Sequence, residues 1–469
     1  MKRLMLTTII FFISILFPFF LFPAFSWGAT HYVTPTGAGS NDGSDWNNAY
    51  QGLPSSLTRG DAYVVAGGNY SAKEFNDNES GSTVITIRKA SSLTGYRDNL
   101  IAGWSSSYET NQAVFSGTTQ FDKGYYTIEG ITPSTGHWQK SGYGIKFTVS
   151  STTQATPLVW TSSSGSGINN ITFKHIEFQS QGSAYDYEQF GIAPRNTGAT
   201  HDLWTISHCY FHDSQLFIKL GCAAPNGWII EHNYFASNWS SSAHHGVQIF
   251  IPGLGNSTPH QFRYNWFEPY AGTGSILYYE YLARTGNDIS IYGNVWHNPG
   301  TINVGNGIFG TGDSGATDLA YNNWKIYNNT FVGGIAQIAI GSGSAAPTGW
   351  EIRNNLFYNC TTQYMSGPPT GVFTNNYLNN SPWGWGTCTN CVTSTESQST
   401  LFPNYASGNY HLGSGSQGIN AGSALSSPYN IDADGVGRPK GSAWDIGAYE
   451  LVTGGNLAQP LAPSGLRVN

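Results

Sequence analysis

A short phrase of apolar, asparagine and aromatic residues recurs along the middle of this chain. Eight copies lie between residues 171 and 378. Aligning the copies brings these residues to one equivalent position: Ile176, Cys209, Asn233, Asn265, Asn294, Asn329, Asn355 and Asn376. Successive members are 33, 24, 32, 29, 35, 26 and 21 residues apart. A repeat with a minimum near 21 residues and a variable excess predicts a solenoid whose coils carry loops of different length.

Each copy also alternates apolar and polar residues with a period of two, which is the pattern of a β-strand. In the copy at 229–235, Ile230 and Phe235 are predicted to point inward, while Glu231 and Tyr234 point outward. The asparagine between them is predicted to form a turn between two strands, because Asn tolerates left-handed backbone. Stacked from coil to coil, these Asn side chains would hydrogen-bond to one another.

The composition argues against helical and other repeat architectures. Glycine is abundant, with 58 residues, and only 10% of the chain is charged. No long apolar stripe with helical spacing is present. Leucine-rich phrases and the periods of about 40 residues typical of propeller blades are also missing. The pattern therefore predicts a parallel β-helix.

The two ends of the repeat region resemble the right-handed parallel β-helix proteins of the pectate-lyase type. The opening reads HYVTPTGAGSNDGSDWNNAYQGL (31–53) and GDAYVVAGGNY (60–70), and the closing segment reads NIDADGVGRPKGSAWDIGAYEL (430–451). The resemblance covers about residues 30–451. It implies an all-β fold, a single right-handed parallel β-helix with an N-terminal cap and a C-terminal closing segment. It does not imply one activity, because this fold carries lyases, hydrolases, epimerases and inert proteins.

The sequence divides into four predicted parts. They are a signal peptide (1–28), the β-helix (29–429), its closing segment (430–452) and a linker or disordered tail (453–469). The signal peptide is indicated by a basic start, a long apolar run and small residues after it. An uncleaved membrane anchor is the alternative, since the apolar run approaches spanning length. Pro18 and Pro23 within the run favour cleavage, and hence a secreted or cell-envelope protein with no membrane contact afterwards.

Charge and cysteine content narrow the expected partners. The formal net charge is -7 and no basic run is present, which argues against nucleic acid as a partner. A monomer that binds a polysaccharide is expected. Cys388 and Cys391 are predicted to form a local disulfide, because a zinc site would need two further ligands nearby. Cys209, Cys222 and Cys360 are interpreted as small buried residues.

Chemistry is expected on the strand that follows each aromatic phrase. Successive coils lie about 4.8 Å apart, so outward residues at equivalent positions form a row. The inward set is predicted to be Ile192, Ile218, Ile249, Ile308 and Ile338. The outward face then holds three predicted catalytic residues, Lys219, Glu280 and His245, and four predicted substrate-binding residues, Arg195, Gln248, Phe250 and Tyr278. Aromatic rings stack on sugar rings and polar groups fix the hydroxyls.

Three functions remain open for this face. Lys219 suits the base of a polysaccharide lyase, which abstracts the proton beside a uronate carboxylate. Glu280, with Asp213 or Asp313, suits the paired carboxylates of a glycoside hydrolase. A non-catalytic glycan-binding or structural protein would use the same exposed row. For each residue, an ordinary solvated or ion-paired position on a strand is the competing interpretation.

No cofactor is predicted, although calcium is left open. Some lyases of the resembling type use calcium bound by clustered Asp, but Asp186, Glu188 and Asp213 do not form such a cluster in this sequence. The run from Asn430 to Gly435 starts like a calcium loop but has Gly at the twelfth position, so a tight turn is the better interpretation. Within the resembling closing motif, Arg438 and Asp445 are expected to pair. His208 and His232 occupy one repeat position and are interpreted as stacked structural residues, and His244 and His245 cannot easily face one ion.

Overall fold

The computed structural model shows that the chain is built almost entirely from β-strands. The residues it describes are 28–131, 138–149, 157–162, 167–180, 190–194, 200–214, 216–220, 225–236, 247–251, 258–268, 274–278, 288–297, 309–311, 322–338, 348–364 and 369–452. Among them, the strands form three large parallel sheets, which extend over residues 30–374, 68–394 and 74–311. This confirms the predicted all-β fold, a single right-handed parallel β-helix.

The first sheet joins thirteen strands of the described chain, and each coil after the opening contributes one strand to it. In sheet order they are Tyr50–Gln51, Thr30–Thr34, Ala62–Val65, Ile85–Lys89, Tyr126–Glu129, Ile171–Lys174, Thr205–Ser207, Ile229–Glu231, His260–Arg263, Ile289–Tyr292, Lys325–Tyr327, Trp350–Arg353 and Gly371–Thr374.

The second sheet joins twelve strands of the described chain, most of which follow a strand of the first sheet after a sharp turn. In chain order they are Gly68–Ser71, Ala113–Ser116, Ile145–Thr148, Ile176–Gln179, Tyr210–His212, Tyr234–Phe235, Trp266–Phe267, Val295–His297, Thr330–Val332, Leu356–Tyr358, Tyr377–Asn379 and Val392–Ser394.

The third sheet completes each coil with a strand that leads back toward the first sheet. Its eight described strands are Glu74–Phe75, Thr119–Phe121, Val159–Thr161, Phe190–Ala193, Leu216–Lys219, Val247–Ile251, Gly274–Tyr278 and Phe309–Thr311. Two further strands, Ile335–Ile338 and Thr361–Tyr364, pair with each other. The described helices are single turns: Trp46–Asn48, Asp98–Leu100, Ser107–Thr110, Gln398–Leu401 and Tyr405–Ser407.

The interior is filled by rows of side chains that repeat from coil to coil. One row runs along the second sheet through aromatic rings whose centroids are 4.6–5.6 Å apart. Its members are Phe147, Phe178, Phe211, Phe235, Phe267, Trp296, Phe331 and Phe357. Each ring is at most 2% exposed. Burial of such rings is the largest favourable contribution to the stability of this core.

The predicted asparagine ladder is confirmed. Six Asn side chains, all fully buried, form it in register: Asn233, Asn265, Asn294, Asn329, Asn355 and Asn376. The Nδ2 groups of the first five each donate to the Oδ1 of the Asn in the next coil at 2.9–3.1 Å. The same Oδ1 also accepts the backbone N–H of the preceding coil's Asn. The ladder therefore satisfies the buried backbone donors at the turns from Asn233 to Asn355.

The predicted backbone of this turn is wrong by one residue. The left-handed residue is the one before each ladder Asn, with φ of +53° at His232, +53° at Asn328 and +57° at Asn354. His, Asn and Gly at this position tolerate positive φ better than branched residues do. The ladder Asn itself does not need a left-handed backbone, and its side chain points into the core.

A C-terminal strap, residues 421–432, lies along the outside of this corner. Asn375 Nδ2 donates to the Ala421 carbonyl at 3.0 Å, and Asn354 Nδ2 donates to that of Ser423 at 2.8 Å. Farther along, Asn328 Nδ2 donates to the Tyr429 carbonyl at 3.1 Å. The strap therefore runs from the C-terminal coils back toward the middle of the β-helix.

Tyr234 points away from the core, as predicted, but it is fully buried because other segments cover it from outside. Ile230 and Phe235 lie in the core, as predicted. The Lys140 ammonium lies over the Tyr234 ring at 5.3 Å. Trp138 packs against Trp266 of the next coil, with ring centroids 5.3 Å apart. A second apolar layer therefore forms outside the β-helix on this face.

The closing motif corrects one predicted pair. The Arg438 guanidinium donates to the backbone carbonyl of Asp445 at 2.8 Å, but its carboxylate partner is Glu450, at 3.0 Å. The Asp432 carboxylate accepts the backbone N–H groups of Asp434 and Val436, which is the predicted tight turn. Burial raises the pKa of Asp432 to about 6.

The predicted disulfide between Cys388 and Cys391 is present. Cys209 and Cys360 are buried free thiols, as expected, and Cys222 lies outside the described residues. Among the helices that the structure describes, none has the length and apolar character needed to cross a membrane.

Candidate functional site

The third sheet carries the predicted site, and strand Leu216–Lys219 lies at its centre. Ile218 pairs with Ile192 in one neighbouring coil and with Ile249 in the other. All three are fully buried, which confirms the predicted inward row at these positions. Lys219 is partly exposed and pairs directly with Phe250. The lysine and the aromatic residue therefore occupy adjacent positions of one row, as predicted.

The next coil departs from the predicted register. Leu277 pairs with Phe250, and Tyr278 pairs with Ile251, so Tyr278 is one residue out of the predicted row. The inward row is predicted to continue through Ile308. Instead, Ile276, which pairs with the buried Ile249, pairs in turn with Phe309. A shift of one residue exchanges the two faces of a strand. The segment SILYY at 275–279 does not alternate between apolar and polar residues, because four apolar or aromatic residues follow one another. The sequence therefore does not show which of them face the core.

Several predicted site residues lie outside the described residues. They are Arg195, His244, His245, Glu280 and the carboxylates Asp186, Glu188 and Asp313. For Gln248, Phe250 and Tyr278 the structure places only the backbone, within strands Val247–Ile251 and Gly274–Tyr278. Their predicted roles therefore remain predictions.

A charged cluster on the outer face of the second sheet contains the remaining hydrolase candidate, Asp213. The His212 imidazole bridges two carboxylates, with Nδ1 2.9 Å from Asp213 Oδ2 and Nε2 3.1 Å from Glu177 Oε1. Lys146 Nζ lies 2.9 Å from the same Glu177 oxygen, and Gln112 Nε2 donates to Oε2 at 2.8 Å. The strand register brings these residues together, since Lys146 pairs with Glu177.

The cluster stabilises the charged forms of Glu177, His212 and Asp213. Burial opposes ionisation of Glu177, but hydrogen bonds from His212, Gln112 and Lys146 outweigh it and lower its pKa to about 2. Burial alone would lower the pKa of His212, but its bonds to Asp213 and Glu177 raise it. The hydrogen bond from His212 lowers the pKa of Asp213. An acid with a lowered pKa is a poor proton donor, so Asp213 does not suit the general acid of a hydrolase.

A second buried carboxyl, Glu268, was not identified from the sequence. Burial raises its pKa, and it accepts a short hydrogen bond from the Tyr234 hydroxyl. Lys140 Nζ lies 3.8 Å from it. Glu268 follows the aromatic phrase at 261–267, and nothing in the sequence distinguishes it from an exposed acid. Lys140, which lies beside it, comes from a distant, earlier part of the chain.

The histidine row is structural, as predicted. The rings of His208 and His232 are stacked with centroids 4.7 Å apart, and His175 lies 5.2 Å from His208. Burial lowers the pKa of His175 to about 4. Within the described part of the chain, no group of three or more His, Cys, Asp or Glu is placed to hold a metal ion.

Comparison with solved structures supports this architecture. The crystal structure of the pectate lyase Pel9A superposes with a TM-score of 0.54 and 16% identity, over 91% of this chain and 97% of that one. The fold is of the pectate-lyase type. The complex of XylC with xylose also matches, with a TM-score of 0.41 and 8% identity over 90% of this chain and 98% of that one. No protein-family model and no curated protein matches the chain.

Proposed function

We propose that this protein is exported, binds a uronate-containing polysaccharide along the outer face of the third sheet, and cleaves it by β-elimination. Lys219 is the proposed base. It removes the proton beside the uronate carboxylate, the glycosidic oxygen on the next carbon leaves, and a double bond forms in the sugar. Arg195, His245, Gln248, Phe250 and Glu280 are proposed to bind and orient the chain around it.

The supporting observation is the pairing of Lys219 with Phe250 in hydrogen-bonded strands of adjacent coils. Ile218 and Leu220, on either side of the lysine, are fully buried, so the backbone that carries it is fixed by the core. A strand of the scaffold holds a reactive group more rigidly than a loop does. The match to the pectate lyase Pel9A is consistent with the proposal through the fold.

The test is a panel of acidic and neutral polysaccharides, with the absorbance of unsaturated products and the release of reducing ends followed separately. Calcium or a chelator is added in parallel. We expect unsaturated products from a uronate polymer, and their loss in Lys219→Ala with an unchanged melting temperature. Lys174→Ala is the matched control, because Lys174 is a partly exposed strand lysine that lies on the first sheet, away from the proposed site.

Other results would select another function. Reducing ends without unsaturated products, lost in Glu280→Gln, would replace elimination with hydrolysis. Binding without cleavage, weakened by Phe250→Ala alone, would make the protein a glycan-binding β-helix. Full activity of Lys219→Ala would overturn the assignment of the base.

A further inference from the structure

A cavity of about 200 Å³ opens on the outer face of the first sheet, which is a different face from the one proposed for catalysis. Its floor is a row from three successive coils, in which Gln261 pairs with Ser290 and Ser290 pairs with Lys325. With coils about 4.8 Å apart, this floor is about 10 Å long. The C-terminal strap forms one wall through Pro428 and Tyr429.

The Tyr429 wall is fixed to the β-helix at several points. Its hydroxyl lies 3.2 Å from Ser290 Oγ, and its carbonyl accepts the Asn328 bond that holds the strap. The ring makes edge contacts with Tyr292 and Tyr327, with centroids 4.9 and 4.8 Å away. The cavity is therefore formed before any ligand binds.

The cavity floor presents donors for which the described residues provide no partner. The acid beside Lys325 in the next coil is Glu351, which is bound to Arg353 at 2.8 Å and to the Tyr327 hydroxyl at 2.8 Å. Within the described residues, Lys325 has no ion pair or hydrogen bond through its ammonium group. Gln261 Oε1 accepts from Arg263 and Tyr292, both at 2.9 Å, which directs its NH₂ group elsewhere.

The rim of the cavity adds an acceptor. Asp288 and Asn323 occupy equivalent positions in neighbouring coils, each with φ of +62° just before a strand of the first sheet. The backbone N–H of Asp288 is bonded to the Asn322 carbonyl at 3.0 Å. Among the residues that the structure describes, no cation lies within ion-pair distance of the Asp288 carboxylate, although Lys325 lines the same cavity.

A neighbouring cavity of about 270 Å³ shows the contrast. It is lined by Glu231 and Arg263, but these two charges bind each other at 2.6 Å. The charges of Glu231 and Arg263 are therefore already paired. Of these two cavities, the one around Lys325 combines an ammonium group, a carboxylate and an amide donor that the described residues leave without partners.

We propose that this cavity binds one acidic sugar unit, a hexuronate. Lys325 and the Gln261 NH₂ group receive the sugar carboxylate, because an ammonium group and an amide donor side by side suit an anion. Asp288 accepts hydrogen bonds from two sugar hydroxyls. The rings of Tyr429 and Pro428 pack against the apolar face of the pyranose. The site lies on a separate face, so it does not require the proposed elimination reaction.

Calorimetric titration of the full chain tests the site, with Lys219→Ala as the background so that the third sheet does not turn over the ligand. The probes are free glucuronate and galacturonate, glucose and galactose, and a uronate trisaccharide. We expect at least one hexuronate to bind more tightly than its neutral counterpart. Lys325→Met should weaken that binding about tenfold or more, since it removes a charge-assisted bond. Asp288→Asn should weaken it as well, while leaving the left-handed backbone acceptable.

The control variant is Lys174→Met, which removes a strand lysine of the same sheet outside the cavity and should leave the affinity unchanged. Tighter binding of the trisaccharide that is lost in Lys325→Met would identify a polymer as the source, and tighter binding of the monosaccharide would identify a free sugar. Equal affinity for neutral and acidic sugars, or no effect of Lys325→Met, would overturn the proposal. The catalytic proposal is judged by unsaturated products of the unmodified protein, so the two can fail separately.

Discussion

Asn354 and Asn355 are neighbours in sequence, but their side chains form hydrogen bonds on opposite sides of the β-helix wall, one outside and one in the core. Asn354 Nδ2 donates outward to the Ser423 carbonyl of the strap at 2.8 Å. Asn355 Nδ2 donates to Asn376 Oδ1 inside the core at 3.1 Å. The left-handed backbone at Asn354 makes the turn that separates the two directions. One Asn-Asn pair therefore closes the coil and attaches the C-terminal strap to it.

The ladder should contribute measurably to stability. Asn294 accepts two bonds from Asn265 through Oδ1 and donates to Asn329 and to the Phe262 carbonyl. We expect Asn294→Leu to lower the free energy of unfolding by roughly 1–3 kcal/mol, because it leaves buried partners unsatisfied. The measurement is chemical denaturation. Asn69→Leu, at an exposed strand position, is the matched control, and an equal loss in both variants would contradict a stabilising ladder.

The strap should loosen when its asparagine contacts are removed. Asn354 forms three hydrogen bonds with Ser423. Its Oδ1 accepts from the backbone N–H at 2.8 Å and from the hydroxyl at 3.2 Å, and its Nδ2 donates to the carbonyl at 2.8 Å. Asn354→Gly deletes the side chain and keeps the left-handed backbone. We expect faster hydrogen exchange of the Ser423 amide, with ladder amides such as that of Asn355 still protected. Unchanged exchange at Ser423 would show that the strap is held by other contacts.

The buried pair of Arg438 and Glu450 should be sensitive to the loss of one partner. Both side chains are fully buried. Glu450→Gln leaves the guanidinium without its counter-charge, and we expect a loss of about 3–5 kcal/mol in the free energy of unfolding. Glu351→Gln is the control, because Glu351 and Arg353 are both partly exposed and such pairs contribute about 0–1 kcal/mol. Similar losses in the two variants would contradict this difference in burial.

The His212 cluster predicts a defined pH dependence. The pKa of His212 is raised above its ordinary value of 6.5. Its stabilising effect is therefore complete below about pH 6.5 and is lost as pH rises through the raised pKa. The pKa of Glu177 is lowered from 4.5 to about 2, so its contribution is present above pH 4.5 and is lost as pH falls toward 2.

The measurement is the free energy of unfolding of the unmodified protein and of His212→Gln, taken across this pH range. We expect the difference between the two to be largest between about pH 4.5 and 6.5 and to shrink on either side. A difference that grows as pH rises above 6.5 would contradict a protonated His212 between Glu177 and Asp213.

The sequence by itself determined the solenoid and its ladder. Alternation with a period of two marks strands wherever they occur, and a recurring Asn in register identifies the turn from one sheet to the next. Both signals are local and repeat many times. A departure in one copy, such as Cys209 in place of Asn, therefore does not change the prediction of a β-helix. The disulfide between Cys388 and Cys391 could also be predicted, since only two residues lie between the two cysteines.

Only the tertiary structure decided the features that join distant segments. Glu450 instead of Asp445 pairs with Arg438 because the closing motif folds back on itself, which spacing alone does not show. The row beside Lys219 continues through Leu277 because Phe250 pairs with Leu277, a register that the residues of neither strand alone determine. The cavity at Lys325 exists because residues 428 and 429 return to a face built by coils up to about 170 residues earlier. Such contacts depend on which distant segments the fold brings together, and a local sequence pattern does not contain that information.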